Sequence, residues 1–161
     1  MKIEVLTQQM PKLLPALEVV RQVLAANGIT FSDINDVAVH PDDFVWAVRR
    51  PEHWLKVELL VHDHGGMVDV SLRTNHDGRT MFAPDKWTAR VWYFDSGHGM
   101  PNRWAAANEN PDCEIIAKVP LLAKIRELGV TQFKGCSEEV ARELLALMAA
   151  FFAKLPAQSA A

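Results

Sequence analysis

Two histidines one residue apart, His62 and His64, stand where an apolar alternating stretch gives way to Gly65 and Gly66. On a strand, residues i and i+2 point to the same side. Two imidazoles so placed can share a divalent metal such as zinc, and a catalytic zinc needs about three protein ligands and one open position. Asp69 is the third ligand that a hairpin would bring back, with His76, Asp95 and His98 as the other candidates. The competing reading is that both histidines are polar residues flanking a turn.

Other chemistries have less behind them. Ser96-Gly97-His98 puts a serine near a histidine, but no Gly-x-Ser-x-Gly elbow accompanies it. Neither Cys113 nor Cys136 belongs to a zinc-type spacing. Cys136 precedes Ser137, a helix cap, and a helix N-terminus would lower its pKa. Glycine-rich phosphate loops are missing from the sequence. The paired acids Asp42 and Asp43 read as loop residues.

A second candidate is a surface. Five tryptophans fall between Phe44 and Trp104, interleaved with arginines. Arginine and tryptophan anchor protein interfaces, and aromatic rings beside arginine also stack the bases of single-stranded nucleic acid. Alternation places Arg90, Trp92 and Phe94 on one side of their strand, and Asp69, Ser71 and Arg73 on one side of theirs. The charges mark that side as the open one. The residues assigned to contact are Arg49, Trp54, Arg73, Arg90, Trp92 and His98.

The elements that position these residues are legible from periodicity. Leu17, Val20 and Leu24 recur at helical spacing, which predicts a helix over residues 15–26. Before it, residues 2–6 read as an edge strand or arm. Short strands are expected at 37–40 and 44–49, the latter apolar on both sides. Residues 55–62 and 67–74 alternate as a hairpin about Gly65-Gly66. Asp77-Gly78 marks a second turn, residues 80–83 a short strand, and residues 89–94 a further strand. Pro101 opens a short helix through Asn108, and residues 121–128 form another. Ser137 caps a final helix that runs to about Lys154. Its stripe is Val140, Leu144, Leu147, Phe151 and Leu155, widened by Leu145, Met148 and Phe152, which is too broad for a solvated helix.

The bulk numbers bound the rest. A chain of 161 residues, 49% apolar and 23% charged, suits one domain with its own core. The expected architecture is α+β: an antiparallel meander of four to six strands, covered on one face by an N-terminal helix and C-terminal helices. The domain spans 1–156, and 157–161 is a disordered tail. A formal charge of −3 argues against general affinity for nucleic acid or anionic membrane. The first eight residues lack a long apolar run, and the longest such run, 144–153, is too short to span a bilayer. With two cysteines and no disulfide framework, the cytoplasm is the expected compartment. The leading expectation is a non-enzymatic binding protein, an adaptor, inhibitor or regulator that meets a protein partner and needs no cofactor. The alternatives are a metal-dependent protein built on His62 and His64, and a single-stranded nucleic-acid binder.

Overall fold

The computed structural model describes residues 3–34, 36–40, 42–51, 53–62, 65–74, 87–95, 103–107 and 134–156. Helix α1 (Ile3–Ala26) opens the chain. Seven strands follow: β1 (Asp36–His40), β2 (Asp43–Arg49), β3 (His53–His62), β4 (Gly65–Thr74), β5 (Trp87–Asp95), β6 (Arg103–Ala107) and β7 (Lys134–Cys136). Helix α2 (Glu138–Ala153) closes it. The sheet order is β1-β2-β3-β4-β5-β6-β7, and every neighbouring pair is antiparallel. This is the expected α+β meander, with more described strands than the four to six anticipated. The anticipated strand at 80–83, helix at 121–128 and tail at 157–161 lie outside the described residues. No helix among the described residues is long and apolar enough to cross a membrane.

Helix α1 begins well before residue 15, and residues 2–6 are not a strand from Ile3 onward. It contains Pro11 and Pro15. A proline removes the bond to the carbonyl four residues back, here at Thr7 and Pro11. Both prolines and both of those residues lie on the exposed side, where solvent can serve the carbonyls. The opposite side carries Leu13, Ala16, Val20, Val23 and Leu24, all buried. Burial of that stripe sustains a helix that local proline signals would interrupt.

Both helices pack on one face of the sheet. That face carries Leu55, Val57, Leu59 and Val61 from β3, Val68, Val70 and Leu72 from β4, Val91 from β5, and Trp104 and Ala106 from β6. Helix α2 adds Leu144, Leu145, Met148 and Phe152, each fully buried. Phe151, placed on the main stripe by periodicity, is only half-buried and meets the His53 ring edge-on at 5.6 Å. Ser137 caps α2 as expected, its Oγ accepting the Val140 N–H at 3.2 Å.

Two glycines make the hairpin possible. Gly65 has φ of 150°, a conformation that residues with a side chain rarely adopt. Gly66 faces α1: a Cβ there would lie 2.6 Å from Leu13 Cδ1 and 2.6 Å from the Leu60 carbonyl oxygen. The helix therefore crosses the sheet where β4 has no side chain.

The helix anticipated from Pro101 is instead strand β6, from Arg103 on. Its run Arg-Trp-Ala-Ala-Ala has helical propensity, but Tyr93 and Val91 of β5 pair with Trp104 and Ala106. Tertiary pairing outweighs a propensity difference of well under ~1 kcal/mol per residue.

Candidate functional site

The face of the sheet away from the helices holds most of the residues singled out from sequence. Cross-strand pairing stacks them in rows. One row runs Arg49, Trp54, Arg73; the next Ala47, Lys56, Ser71, Arg90; the third Val45, Glu58, Asp69, Trp92, Ala105; the fourth Leu60, Met67, Phe94, Arg103. Arg49, Trp54, Arg90 and Trp92 thus share one side, as expected, and Arg73 takes the register position opposite Trp54. His98 and His64 lie outside the described residues.

The expectation that this side is open is corrected by burial. Trp54 is 0% exposed and Trp92 4%, while Asp69 and Ser71 are at 0% and Lys56 at 5%. Arg49 and Arg90 lie on the rings rather than reaching for solvent, and Arg103, though exposed, also lies over a ring. Arg49 stacks over Trp54 at 4.4 Å, Arg90 over Trp92 at 4.4 Å, and Arg103 over Phe94 at 5.3 Å. Each guanidinium covers one face of its ring. Alternation of polar and apolar residues had signalled a solvated side; instead the polar side is a second interior, in which charges neutralise one another.

Four ionic groups meet there. Arg90 Nε donates to Asp69 Oδ1 at 2.9 Å, and Lys56 Nζ lies 3.6 Å from Glu58 Oε2. Asp69 and Glu58 are direct strand partners. Burial pushes the Asp69 carboxyl up to about 6; Arg90, and more weakly Lys56, pull against that rise, and Glu58 adds to it. Asp69 Oδ2, Ser71 Oγ and Trp54 Nε1 are buried without a hydrogen-bond partner among the described residues. A carboxyl titrating near neutrality suits proton transfer, but Asp69 has no surface from which a substrate could reach it. It is a buried charge held by Arg90.

Of the residues grouped as metal ligands from sequence, His62 and Asp69 are described, and they stand well apart along the hairpin. His62 pairs with Gly65, and Asp69 lies four residues further along β4, roughly 13 Å away at strand rise. That is a backbone separation, whereas two side-chain donor atoms on one zinc lie within about 4 Å of each other, since each bonds at about 2.0–2.2 Å. His62 is exposed. Asp95 belongs to the helix-covered side, 3.6 Å from Lys12 Nζ. Among the described residues, no group of three or more His, Cys, Asp or Glu is placed to hold a metal. Cys136 lies on β7 and packs toward the core, and burial raises its thiol pKa, opposite to the effect expected from the helix start.

Beyond the charged rows the same face opens into a cleft of about 510 Å³, within the size range of ligand sites. Leu60, Met67, Trp92 and Phe94 line it, with His62, Arg90 and Arg103 as its basic groups and Asp95, 3.6 Å from Lys12 Nζ, as its acid. Arg90 is matched by Asp69, whereas Arg103 is exposed and has no carboxylate partner among the described residues. Sequence reasoning picked out Trp92, Arg90 and His62 but missed Arg103, Met67 and Leu60. The available signal was period two on β6, hidden by the alanines. A smaller apolar cavity of about 160 Å³ lies between the end of α1 and β2–β3, lined by Leu24, Ile29, Ile34 and Trp46 among others.

Comparison with protein-family models, with curated proteins and with solved structures finds no match.

Proposed function

We propose that this chain is a binding protein, and that its contact site is the cleft over the fourth row of the sheet. Its partner presents an acidic segment of protein with apolar side chains. The observation that carries this reading is the pairing of an apolar floor, Leu60, Met67, Trp92 and Phe94, with the exposed Arg103, which has no carboxylate partner among the described residues. Apolar area supplies attraction, and an exposed arginine selects a carboxylate by forked hydrogen bonds. The buried charges of the neighbouring rows keep Arg90 engaged with Asp69, so the local surplus is positive although the whole chain is negative.

Two peptides of equal length test it, one alternating Glu and Leu, the other Lys and Leu. Titration followed by tryptophan fluorescence should show tighter binding of the acidic peptide. Arg103→Glu should weaken that binding by about tenfold or more, about 1.4 kcal/mol, with an unchanged melting curve. Equal binding of both peptides, or no effect of Arg103→Glu, would remove the cleft as the contact site.

A further inference from the structure

The first strand of the sheet is its least covered part. Val37 is 54% exposed and Val39 64%, the largest exposures among the large apolar residues described. Neither helix makes extensive contact with β1 or β2. Val37 and Val39 stand opposite Trp46 and Phe44, on the helix side of the sheet, where those two rings stack at 6.5 Å.

The backbone of β1 can be phased from two hydrogen bonds. Arg50 N–H donates to the His53 carbonyl at 2.8 Å, and Val61 N–H donates to the Asp42 carbonyl at 2.9 Å. In an antiparallel ladder, bonded pairs alternate with unbonded ones. Phe44, Trp46 and Val48 therefore bond to β3, and Asp43, Val45 and Ala47 bond to β1. Through the register, Asp36, Ala38 and His40 are the β1 residues that bond to β2. Val37 and Val39 turn their N–H and C=O groups outward, along an edge with no sheet neighbour among the described residues.

The sequence of that edge is self-complementary. Asp36-Val37-Ala38-Val39-His40, set antiparallel to itself about Ala38, puts valine opposite valine and Asp36 opposite His40 at both ends. The phase agrees as well: the two Val37–Val39 pairs fall on the outward-facing backbone groups and form the bonded pairs. Ala38 faces its own copy as an unbonded pair. The two-fold axis stands normal to the sheet, so the four valines meet on one side, flanked by Phe44 and Trp46 of each copy.

We infer that β1 is a self-association edge, and that two copies of this chain join β1 to β1 in this register to make one continuous sheet. An uncovered apolar edge strand is a template for pairing with another chain, and here the template matches itself. A contact of five residues per copy is far below the ~20–30 residues a side of a standard interface, so the dimer is weak and concentration-dependent.

Sedimentation equilibrium from about 10 μM to about 1 mM, the range of weak association, should show a monomer–dimer equilibrium. Val39→Pro should weaken it about tenfold or more while leaving the monomer's melting curve in place, because the proline removes only an outward N–H. Val37→Lys should act the same way. In a Cys113→Ser, Cys136→Ser background, Ala38→Cys should oxidise to a disulfide-linked dimer, since unbonded pairs sit about 4.5 Å apart at Cα. Val37→Cys should not, because position 37 faces position 39. A chain that stays monomeric throughout, or equal crosslinking at both positions, overturns the inference.

Discussion

The two faces of the sheet reach burial by different physics. The helix side is aliphatic and fills its space with Val, Leu and Ala against α1 and α2. The other side is equally inaccessible at Trp54, Asp69, Ser71 and Trp92, yet holds two acids and two bases within two rows. An aliphatic face is held by area removed from water and responds little to pH. A charged interior is held by pairing, and each charge is costly if its partner is lost. Polarity along a strand therefore does not identify the solvent side in this protein; charge balance across strands does.

The largest effects should come from truncating either interior. Phe152→Ala and Trp54→Ala should each cost about 3–5 kcal/mol in chemical denaturation. A near-neutral Trp54→Ala would break the comparison, because it would mean that only the helix side is core. Phe151→Ala, at a half-buried site, should cost clearly less than Phe152→Ala.

Arg90→Met sharpens the contrast. It leaves Asp69 buried beside Glu58 without its cation, which should cost about 3–5 kcal/mol at pH 7. At pH 5 Asp69 takes up a proton more readily, so the loss should shrink. A loss that is equal at both pH values would show that Arg90 acts by packing on Trp92 rather than by pairing.

Asp69 itself sets the next effect. Its folded pKa, about 6, lies above its ordinary value of 3.8. The folded state thus holds the proton more tightly than the unfolded chain. Stability is highest below pH 4 as far as this group is concerned, and falls as pH rises from about 4 through about 6. The gap between the two values is worth roughly 3 kcal/mol. In urea unfolding, Asp69→Asn should therefore gain stability relative to the native chain as pH rises from about 4 toward neutral, because the asparagine variant is spared the ionisation cost. A pH profile unchanged by Asp69→Asn would place the titration elsewhere.

The smallest effect belongs to the histidine that first suggested chemistry. His62→Ala, at an exposed strand end, should change stability by no more than about 0.5 kcal/mol. A larger loss in the melting curve would give His62 a structural role that its exposure does not suggest.

Much of this architecture is written in local patterns. Alternation of Val and Leu with polar residues from 55 to 72 determined the central hairpin, its register and the helix-facing side, because a one-residue slip would have turned every valine to the wrong face. Ser137 with Glu138 and Glu139 determined the start of the last helix. The apolar breadth of that helix showed that it is core, although not which edge faces inward; the half-buried Phe151 and buried Phe152 were separated only by packing against the sheet. Cross-strand neighbours decided what local pattern could not. The alanines of β6 are strand because β5 lies beside them, and α1 passes through two prolines because its other side is buried. Asp69 is an interior charge because Arg90, twenty-one residues away, returns to it on the adjacent strand. Sequence determined which residues share a face, since that follows from the period of the backbone. Tertiary structure decided which face meets water, since that depends on what the rest of the chain lays against it.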